Sequence, residues 1–128
     1  MKITKWDDDR ITFDDGSYIS YDHNQDCCEY NYADFSVLDV MLGRDKDYTE
    51  FDSFEINAVD YGGFLIKLRL ATNSSISWPH ICYPYRSIFI PCYSEQNGYY
   101  TTNIAIIYSD KDGNMIDDWD LDAQLKLC

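Results

Sequence analysis

Residues 53–71 read SFEINAVDYGGFLIKLRLA, and this stretch decides the fold. Apolar residues alternate with polar ones on both sides of Tyr61-Gly62-Gly63. Alternation with a period of two predicts strands that each have one apolar face, and adjacent glycines are typical of a tight turn. The stretch therefore predicts an antiparallel pair of strands over 53–60 and 64–71.

Two further hairpins are predicted, one on each side of this pair. Residues 10–22 alternate around Asp15-Gly16, a dipeptide that is typical of hairpin turns. Residues 87–94 and 99–108 are both rich in apolar and aromatic residues and flank Gln96-Asn97-Gly98. Asn-Gly favours a type I′ turn, whose two central residues both have positive φ, so the second hairpin is predicted to close there.

The remaining apolar patterns predict two more strands and one helix. Alternation over 27–33 puts Cys28, Tyr30 and Tyr32 on one face, and alternation over 119–127 predicts a strand there. Apolar residues recur at helical spacing over 34–42, which predicts one short helix.

The signals that bound these elements are polar. Ser36, followed three residues later by Asp39, predicts the helix cap, and Gly43 predicts its end. Residues 44–52 are charged and residues 72–86 contain two prolines, so both are predicted to be loops.

These elements predict a single domain over residues 1–128 with a mainly β fold. We expect an antiparallel sheet, sandwich or partial barrel of seven to nine strands with one short helix. A chain of 128 residues is long enough to bury one core, and its 45% apolar content is typical of a folded globular protein.

The net charge of −13 is unevenly distributed. Residues 1–60 carry −11 and residues 110–128 carry −4, whereas residues 61–109 carry +2. Such a charge repels nucleic-acid phosphates and anionic lipids, so we expect no direct binding to nucleic acid or membrane. It favours a basic protein partner instead.

We expect neither a membrane span nor an ordinary secretory signal in this sequence. No run of about 18 apolar residues occurs, and residues 1–10 lack an apolar core. Five cysteines, an odd number, favour free thiols over a disulfide framework. We therefore expect a cytoplasmic protein of a bacterial or phage-infected cell.

Two motifs carry a resemblance to a known family. The first is His23-x-Gln25-Asp26-Cys27-Cys28-Glu29, which follows the Asp15-Gly16 hairpin and an aromatic strand. The second is Ser94-Glu95-Gln96-Asn97-Gly98-Tyr99-Tyr100. In order and approximate spacing the chain resembles an uncharacterised family of small proteins found mostly in bacteriophages and prophages, whose function is unknown.

The resemblance covers part of the domain, about residues 11–107. Residues 78–86 then represent an insertion, and residues 110–128 a C-terminal extension. The resemblance implies a phage or mobile-element origin and gives no biochemical activity.

A ligand pocket between the two motifs is one hypothesis for their function. If the strand of Cys28 lies beside the Asn-Gly turn, side chains of both motifs would line one cavity. The candidate ligand-binding residues are His23, Gln25, Asp26, Cys28, Glu29, Asn97, Tyr99 and Tyr100.

The first motif also contains residue types that ligate zinc, namely His23, Asp26, Cys27 and Cys28. Adjacent cysteines on a strand point to opposite faces, so a zinc site would need further ligands from elsewhere. In the alternative interpretation Cys28 packs as a small apolar residue and Asp26 caps the loop. Because these roles account for the motif without a metal, we expect no resident cofactor, and zinc is the alternative.

A catalytic role has little support in the sequence. Asp22, Asp26 and Glu29 surround the cysteine pair and would raise the thiol pKa, which opposes nucleophilic catalysis. Asp110-Lys111-Asp112-Gly113 resembles a calcium loop only superficially, because its glycine is in the fourth position rather than the sixth. A hairpin turn is expected there.

The sequence therefore favours a small acidic, non-enzymatic binding protein of phage or mobile-element origin that engages a basic host or defence protein. The first alternative is a small-ligand or metal-binding module with its pocket between the two motifs. The second is a structural component of a virion. A homo-oligomer is compatible with all three.

Overall fold

The structure, a computed structural model, describes residues 1–22, 28–41, 50–70 and 85–128. The mainly β class is confirmed, with ten strands in the described residues rather than the predicted seven to nine. The strands are β1 (Ile3–Trp6), β2 (Arg10–Phe13), β3 (Tyr18–Tyr21), β4 (Tyr30–Ala33), β5 (Phe51–Ala58), β6 (Gly63–Leu70), β7 (Tyr85–Gln96), β8 (Asn103–Ser109), β9 (Met115–Asp122) and β10 (Gln124–Leu127).

The strands form two five-stranded sheets, which we call the first and second sheets. The first has the order β1-β2-β3-β8-β9, and all its pairs are antiparallel. The second has the order β10-β7-β6-β5, with β4 also paired to β7. The pair of β10 with β7 is parallel, and the other pairs of this sheet are antiparallel.

The predicted local hairpins around residues 10–22 and 53–71 are confirmed. Ile11 pairs with Ile19 across the first turn, and Ile56 pairs with Ile66 across the second. The second hairpin begins earlier than predicted, since β5 already includes Phe51 and Asp52. Phe51 is fully buried, so its side chain gives this part of the strand an apolar anchor.

The hairpin predicted around Gln96-Asn97-Gly98 is wrong. The strand before it, β7, belongs to the second sheet, and the strand after it, β8, belongs to the first. Gly98 has a φ of +95°, but no described non-glycine residue has a positive φ. Asn97 therefore cannot take its place in a type I′ turn, and residues 97–102 connect the two sheets instead.

The single strand predicted over 119–127 is also wrong, because two strands share that segment. β9 ends at Asp122 in the first sheet, and β10 begins at Gln124 in the second. Ala123 is the only residue between them, and its amide donates to Thr102 O at 2.7 Å. The segment predicted as an extension, 110–128, thus contributes a strand to each sheet.

β7 is the longest strand and holds the second sheet together. Its first half pairs with β6, up to the pair of Pro91 with Gly63. Its second half pairs with β4 and with β10, so that Tyr93 is opposite both Tyr32 and Gln124. The predicted loop over 72–86 ends two residues early, since Tyr85 and Arg86 already belong to β7. Residues 71–84 lie outside the described residues.

The core lies between the sheets, because both turn their apolar residues inward. Phe13 of the first sheet is 1% exposed and contacts Phe51 and Phe54 of the second, with ring centroids 5.5 and 5.4 Å apart. Tyr21 and Phe35 meet elsewhere in the same core at 5.8 Å. Burial of one such ring contributes about 2–3 kcal/mol, so these contacts hold the sheets face to face.

One short helical segment follows β4, as predicted. Phe35–Val37 form a 3-10 turn, and Leu38–Met41 continue as helix α1. The cap is Asp34 rather than the predicted Ser36, since Asp34 Oδ1 accepts from Ser36 N at 3.1 Å. Buried Phe35 and Leu38 attach the segment to the core. No helix in the described ranges is long and apolar enough to cross a membrane.

Aspartates hold three turns of the first sheet. Asp7 accepts from the amides of Asp9 and Arg10, Asp15 accepts from the hydroxyl and the amide of Ser17, and Asp110 accepts from Asn114 N and Asp112 N. These hydrogen bonds lower the pKa of each of the three carboxyl groups, because they favour the ionised form. Part of the negative charge is therefore architectural, and the turn expected at residues 110–113 is observed.

Candidate functional site

The described end of the first motif, Cys28-Glu29, lies beside the second motif at one end of the second sheet. β4 starts immediately after the first motif, and β7 contains the start of the second. Tyr30 pairs with Glu95, so Glu29 and Gln96 are the next residues along these neighbouring strands. Paired residues have Cα atoms about 5 Å apart. Glu29 of the first motif is thus adjacent to Gln96 of the second, well within the distance of about 15 Å beyond which side chains could not share a pocket.

Gln96 organises the second motif from the inside. It is fully buried, and its Nε2 donates to Ser94 Oγ at 2.7 Å and to Thr101 O at 3.1 Å. Its Oε1 accepts from Tyr100 N at 2.7 Å. One side chain therefore fixes both ends of the loop that connects the sheets.

The first residues of the loop, 97–99, are open to solvent. Asn97 Oδ1 accepts from Tyr99 N at 3.2 Å, and the Tyr99 side chain is 88% exposed. Tyr100 is half-buried. The Asn97 and Tyr99 side chains are accessible to a ligand or partner, whereas Gln96 has an architectural role.

The first motif is only partly described. His23, Gln25, Asp26 and Cys27 lie outside the described residues, so the ligand and zinc predictions on them stay predictions. Cys28 is exposed, which contradicts the interpretation that it packs as an apolar residue. Glu29 is half-buried. The described residues contain no group of three or more histidine, cysteine or carboxylate side chains placed to hold a metal ion.

Cys92 differs from the exposed cysteines in its surroundings. It is a free thiol, fully buried between the sheets, and burial raises its pKa to about 12. A thiol with this pKa stays protonated at neutral pH and is a poor nucleophile or metal ligand. Cys92 therefore belongs to the core.

A cleft of about 220 Å³ lies beside the first motif. We call it the tyrosine cleft; its described lining is Asp8, Tyr21, Tyr30, Tyr32, Ala33, Asp34, Phe35 and Ser36. The Tyr21 hydroxyl donates to Asp8 O at 2.9 Å. Burial, followed by the neighbouring Tyr30, raises the pKa of Tyr21, so its hydroxyl stays neutral. The tyrosine rings thus form an aromatic wall with polar tips, in which the Tyr21 ring is held by burial and by its hydrogen bond.

On the outer face of the second sheet, Lys126 contacts Tyr32 and Tyr93, and Tyr30 lies beside Tyr32. The Tyr32 ring is 5.1 Å from Tyr30 and 5.4 Å from Tyr93. Lys126 Nζ lies 4.0 Å from the Tyr93 ring centroid and donates to the Tyr32 hydroxyl at 3.3 Å, which donates in turn to Glu95 at 3.3 Å. The bond to Tyr32 raises the pKa of Lys126. This chain of contacts orients the rings that border the tyrosine cleft.

A row of carboxylates lies along β9, an edge strand of the first sheet. Asp118, Asp120 and Asp122 are all exposed, while Trp119 and Leu121 between them face the core. Alternate residues of a strand point the same way and lie about 7 Å apart. We call these three residues the acidic row.

An open cleft of about 320 Å³ adjoins the acidic row. Asp120 and Asp122 line it from the first sheet, and Asp60 lines it from the turn between β5 and β6 of the second. Carboxylates from both sheets therefore border one space, which we call the acidic cleft. Carboxylates that border the same cleft repel one another, and a bound cation would reduce this repulsion.

The sequence indicated some of these residues and missed others. Alternation predicted that Tyr30 and Tyr32 share a face, which the structure confirms. It gave no sign that Tyr21 and Asp8 would join them, because the pairs that bring the two sheets together connect residues far apart in the chain. The sequence also gave no sign that Lys126 would lie beside these tyrosines, because Lys126 belongs to the acidic segment 110–128.

Comparisons with known proteins found no matching family model, no matching curated protein and no matching solved structure.

Proposed function

We propose that this chain is a small non-enzymatic binding protein whose acidic row and acidic cleft engage a basic protein. The observation that carries the proposal is the approach of Asp60, from one sheet, to Asp120 and Asp122, from the other. Unlike Asp7, Asp15 and Asp110, which hold turns, the acidic row lies on an exposed strand face. A basic segment laid on this face would neutralise several carboxylates at once.

The origin and location of the protein are part of the same proposal. The two motifs resemble those of a family of small proteins found mostly in bacteriophages and prophages. A protein of that kind would meet a basic host or defence protein in the cytoplasm of the infected cell. A net charge of −13 supports fast, salt-sensitive association with such a partner and opposes binding to nucleic acid.

The test is a pull-down from bacterial lysate with three forms of the protein. The first is unaltered, and the second is D118N/D120N/D122N. The third is the control D52N/E55Q/D112N, which removes three exposed charges elsewhere. We expect a partner that the unaltered protein and the control retain at low salt, that high salt releases, and that the row variant fails to retain.

Two results would contradict the proposal. One is the absence of any salt-sensitive partner. The other is equal retention by the row variant and the control, because the charge would then act only through its total, as a contribution to solubility.

A small-ligand module is the second candidate, favoured by the adjacency of the two motifs at the pair of Tyr30 with Glu95. Native mass spectrometry beside denaturing mass spectrometry would detect a ligand or metal as mass lost on denaturation. Binding that an Asn97→Ala variant loses while keeping its stability would support this candidate. A bare protein under native conditions would count against it.

A further inference from the structure

Aromatic rings form a large part of the wall of the tyrosine cleft. Tyr21 is 4% exposed and packs against Phe35, which is 1% exposed, so this side of the cleft belongs to the core. Tyr30 is 50% exposed and lies against Tyr32 at 5.1 Å. A group that entered the cleft would meet the core at its base and an accessible ring at its edge.

The charges at the cleft are two carboxylates and one cation at its border. Asp8 and Asp34 are part of the lining, and no lysine, arginine or histidine is found among the described lining residues. The cation is Lys126, outside the lining, which donates to the hydroxyl of the lining residue Tyr32 at 3.3 Å. Asp34 Oδ1 accepts from Ser36 N at 3.1 Å, which holds this side chain in place. An anion would be repelled here, whereas a cation would gain from the carboxylates and from the faces of the rings.

The size of the cleft limits its occupant. Pockets for drug-sized ligands and cofactors measure about 300–1,000 Å³. The tyrosine cleft, at about 220 Å³, is smaller and suits a single side chain. Lysine and arginine combine an apolar stem, which suits the rings, with a cationic head, which suits the carboxylates.

We infer that the tyrosine cleft binds the cationic side chain, lysine or arginine, of a protein partner. The inference rests on the proposed function for the basic character of that partner, and it adds a second contact site. The acidic row attracts the partner through charge, and the cleft recognises one of its side chains by shape and charge together.

The first test needs no partner, because a small probe can represent the side chain. n-Butylammonium is titrated into ¹⁵N-labelled protein, with the neutral analogue n-butanol as the control. We expect millimolar binding of the ammonium, with amide shifts concentrated in Tyr30–Ser36 and near Asp8, and much smaller shifts with the alcohol. Equal shifts with both probes, or shifts spread over all acidic surfaces, would overturn the inference.

Two pairs of variants make the test specific. Tyr30→Leu removes the accessible ring, and its control, Tyr61→Leu, removes a ring that is 65% exposed and packs on Phe89 at 5.1 Å. Asp8→Asn removes a lining charge and keeps the backbone oxygen that binds Tyr21, with Asp112→Asn as its control. We expect Tyr30→Leu and Asp8→Asn each to weaken probe binding about fivefold and the controls to leave it unchanged. Equal effects within either pair would refute the inference.

Failure of this inference is distinguishable from failure of the proposed function. If the cleft ignores n-butylammonium while the acidic row still retains a salt-sensitive partner, the inference fails and the proposed function stands. If the cleft binds the probe and no salt-sensitive partner exists, the proposed function fails and the cleft remains a site for small cations.

Discussion

The buried side-chain amide of Gln96 holds the loop that the structure has in place of the predicted hairpin turn. Both of its polar atoms are used, and they connect Ser94 on its own strand with Thr101 and Tyr100 across the loop. A fully buried glutamine is uncommon unless its hydrogen bonds are satisfied, as they are here. The change of direction at residues 97–102 therefore depends on this side chain more than on Asn97-Gly98.

We predict that Gln96→Met destabilises the protein although it conserves the volume of the side chain. It leaves the Tyr100 amide and the Ser94 hydroxyl without their partner, which costs about 3 kcal/mol of unfolding free energy. Asn97→Ala removes one exposed hydrogen bond and should cost under about 1 kcal/mol. Urea unfolding of the two variants measures the difference, and equal stabilities would show that Gln96 does not hold the loop.

At the level of single strands, the close approach of β6 to β7 depends on a glycine. Gly63 has a φ of +135°, and a Cβ atom at this position would lie 2.5 Å from Ile90 O and 2.9 Å from the Phe89 ring. Neither the backbone oxygen nor the packed ring can move far without breaking the ladder between the strands. Gly63 is thus required for the spacing of the central pair of the second sheet.

We predict that Gly63→Ala costs several kcal/mol, because it adds a steric clash to the strain of positive φ. Gly98→Ala is the matched control, since its φ is +95° and its nearest new contact, Leu127 Cδ2, is at 3.5 Å. The control should show only the backbone strain, about 1–2 kcal/mol. Thermal or urea unfolding that ranks the two variants equally would contradict this account.

The strands that the sequence predicted well are those with a partner next in the chain. Asp15-Gly16, Gly62-Gly63 and Gly113 each mark a turn between strands that pair with each other, so turn chemistry and alternation were sufficient. The failures lie at Asn97-Gly98 and Ala123, where the chain changes sheets. Apolar and polar residues alternate without a break from β9 into β10, because both strands have an apolar face. A pattern with a period of two does not indicate which sheet that face belongs to.

The candidate site was predictable to the same extent. The shared face of Tyr30 and Tyr32 follows from alternation within one strand. Their approach to Tyr21, Tyr93 and Lys126 depends on strand pairs separated by more than 60 residues in the chain and on the packing of the two sheets. Pairing over such distances leaves no local pattern in a single sequence.

For the molecule as a whole, stability should depend on pH through the aspartates that hold turns. The pKa values of Asp7, Asp15 and Asp110 are all lowered from 3.8 by hydrogen bonds that exist only in the folded chain. Below this value the unfolded chain binds more protons than the folded one. The contribution is therefore fully present above about pH 5 and is lost as the pH falls through the folded pKa values.

We predict that the free energy of unfolding falls as the pH drops below about 4 and that D7N/D15N/D110N makes this fall shallower. Urea unfolding at a series of pH values measures both slopes. The variant D52N/E55Q/D112N removes the same number of charges without removing these turn carboxylates, and it should keep the full fall. Identical slopes for all three proteins would mean that acid acts through overall charge alone.

The place of β10 on β7 has a consequence for biosynthesis. Tyr93–Gln96 lie between β4 and β10 in the finished sheet, and β10 begins 28 residues further along the chain. While the ribosome is still making those residues, one side of this segment has no strand to pair with. Unpaired strand edges attract other strands, so a nascent chain that stalls before Gln124 would be prone to association with its neighbours on the same messenger RNA.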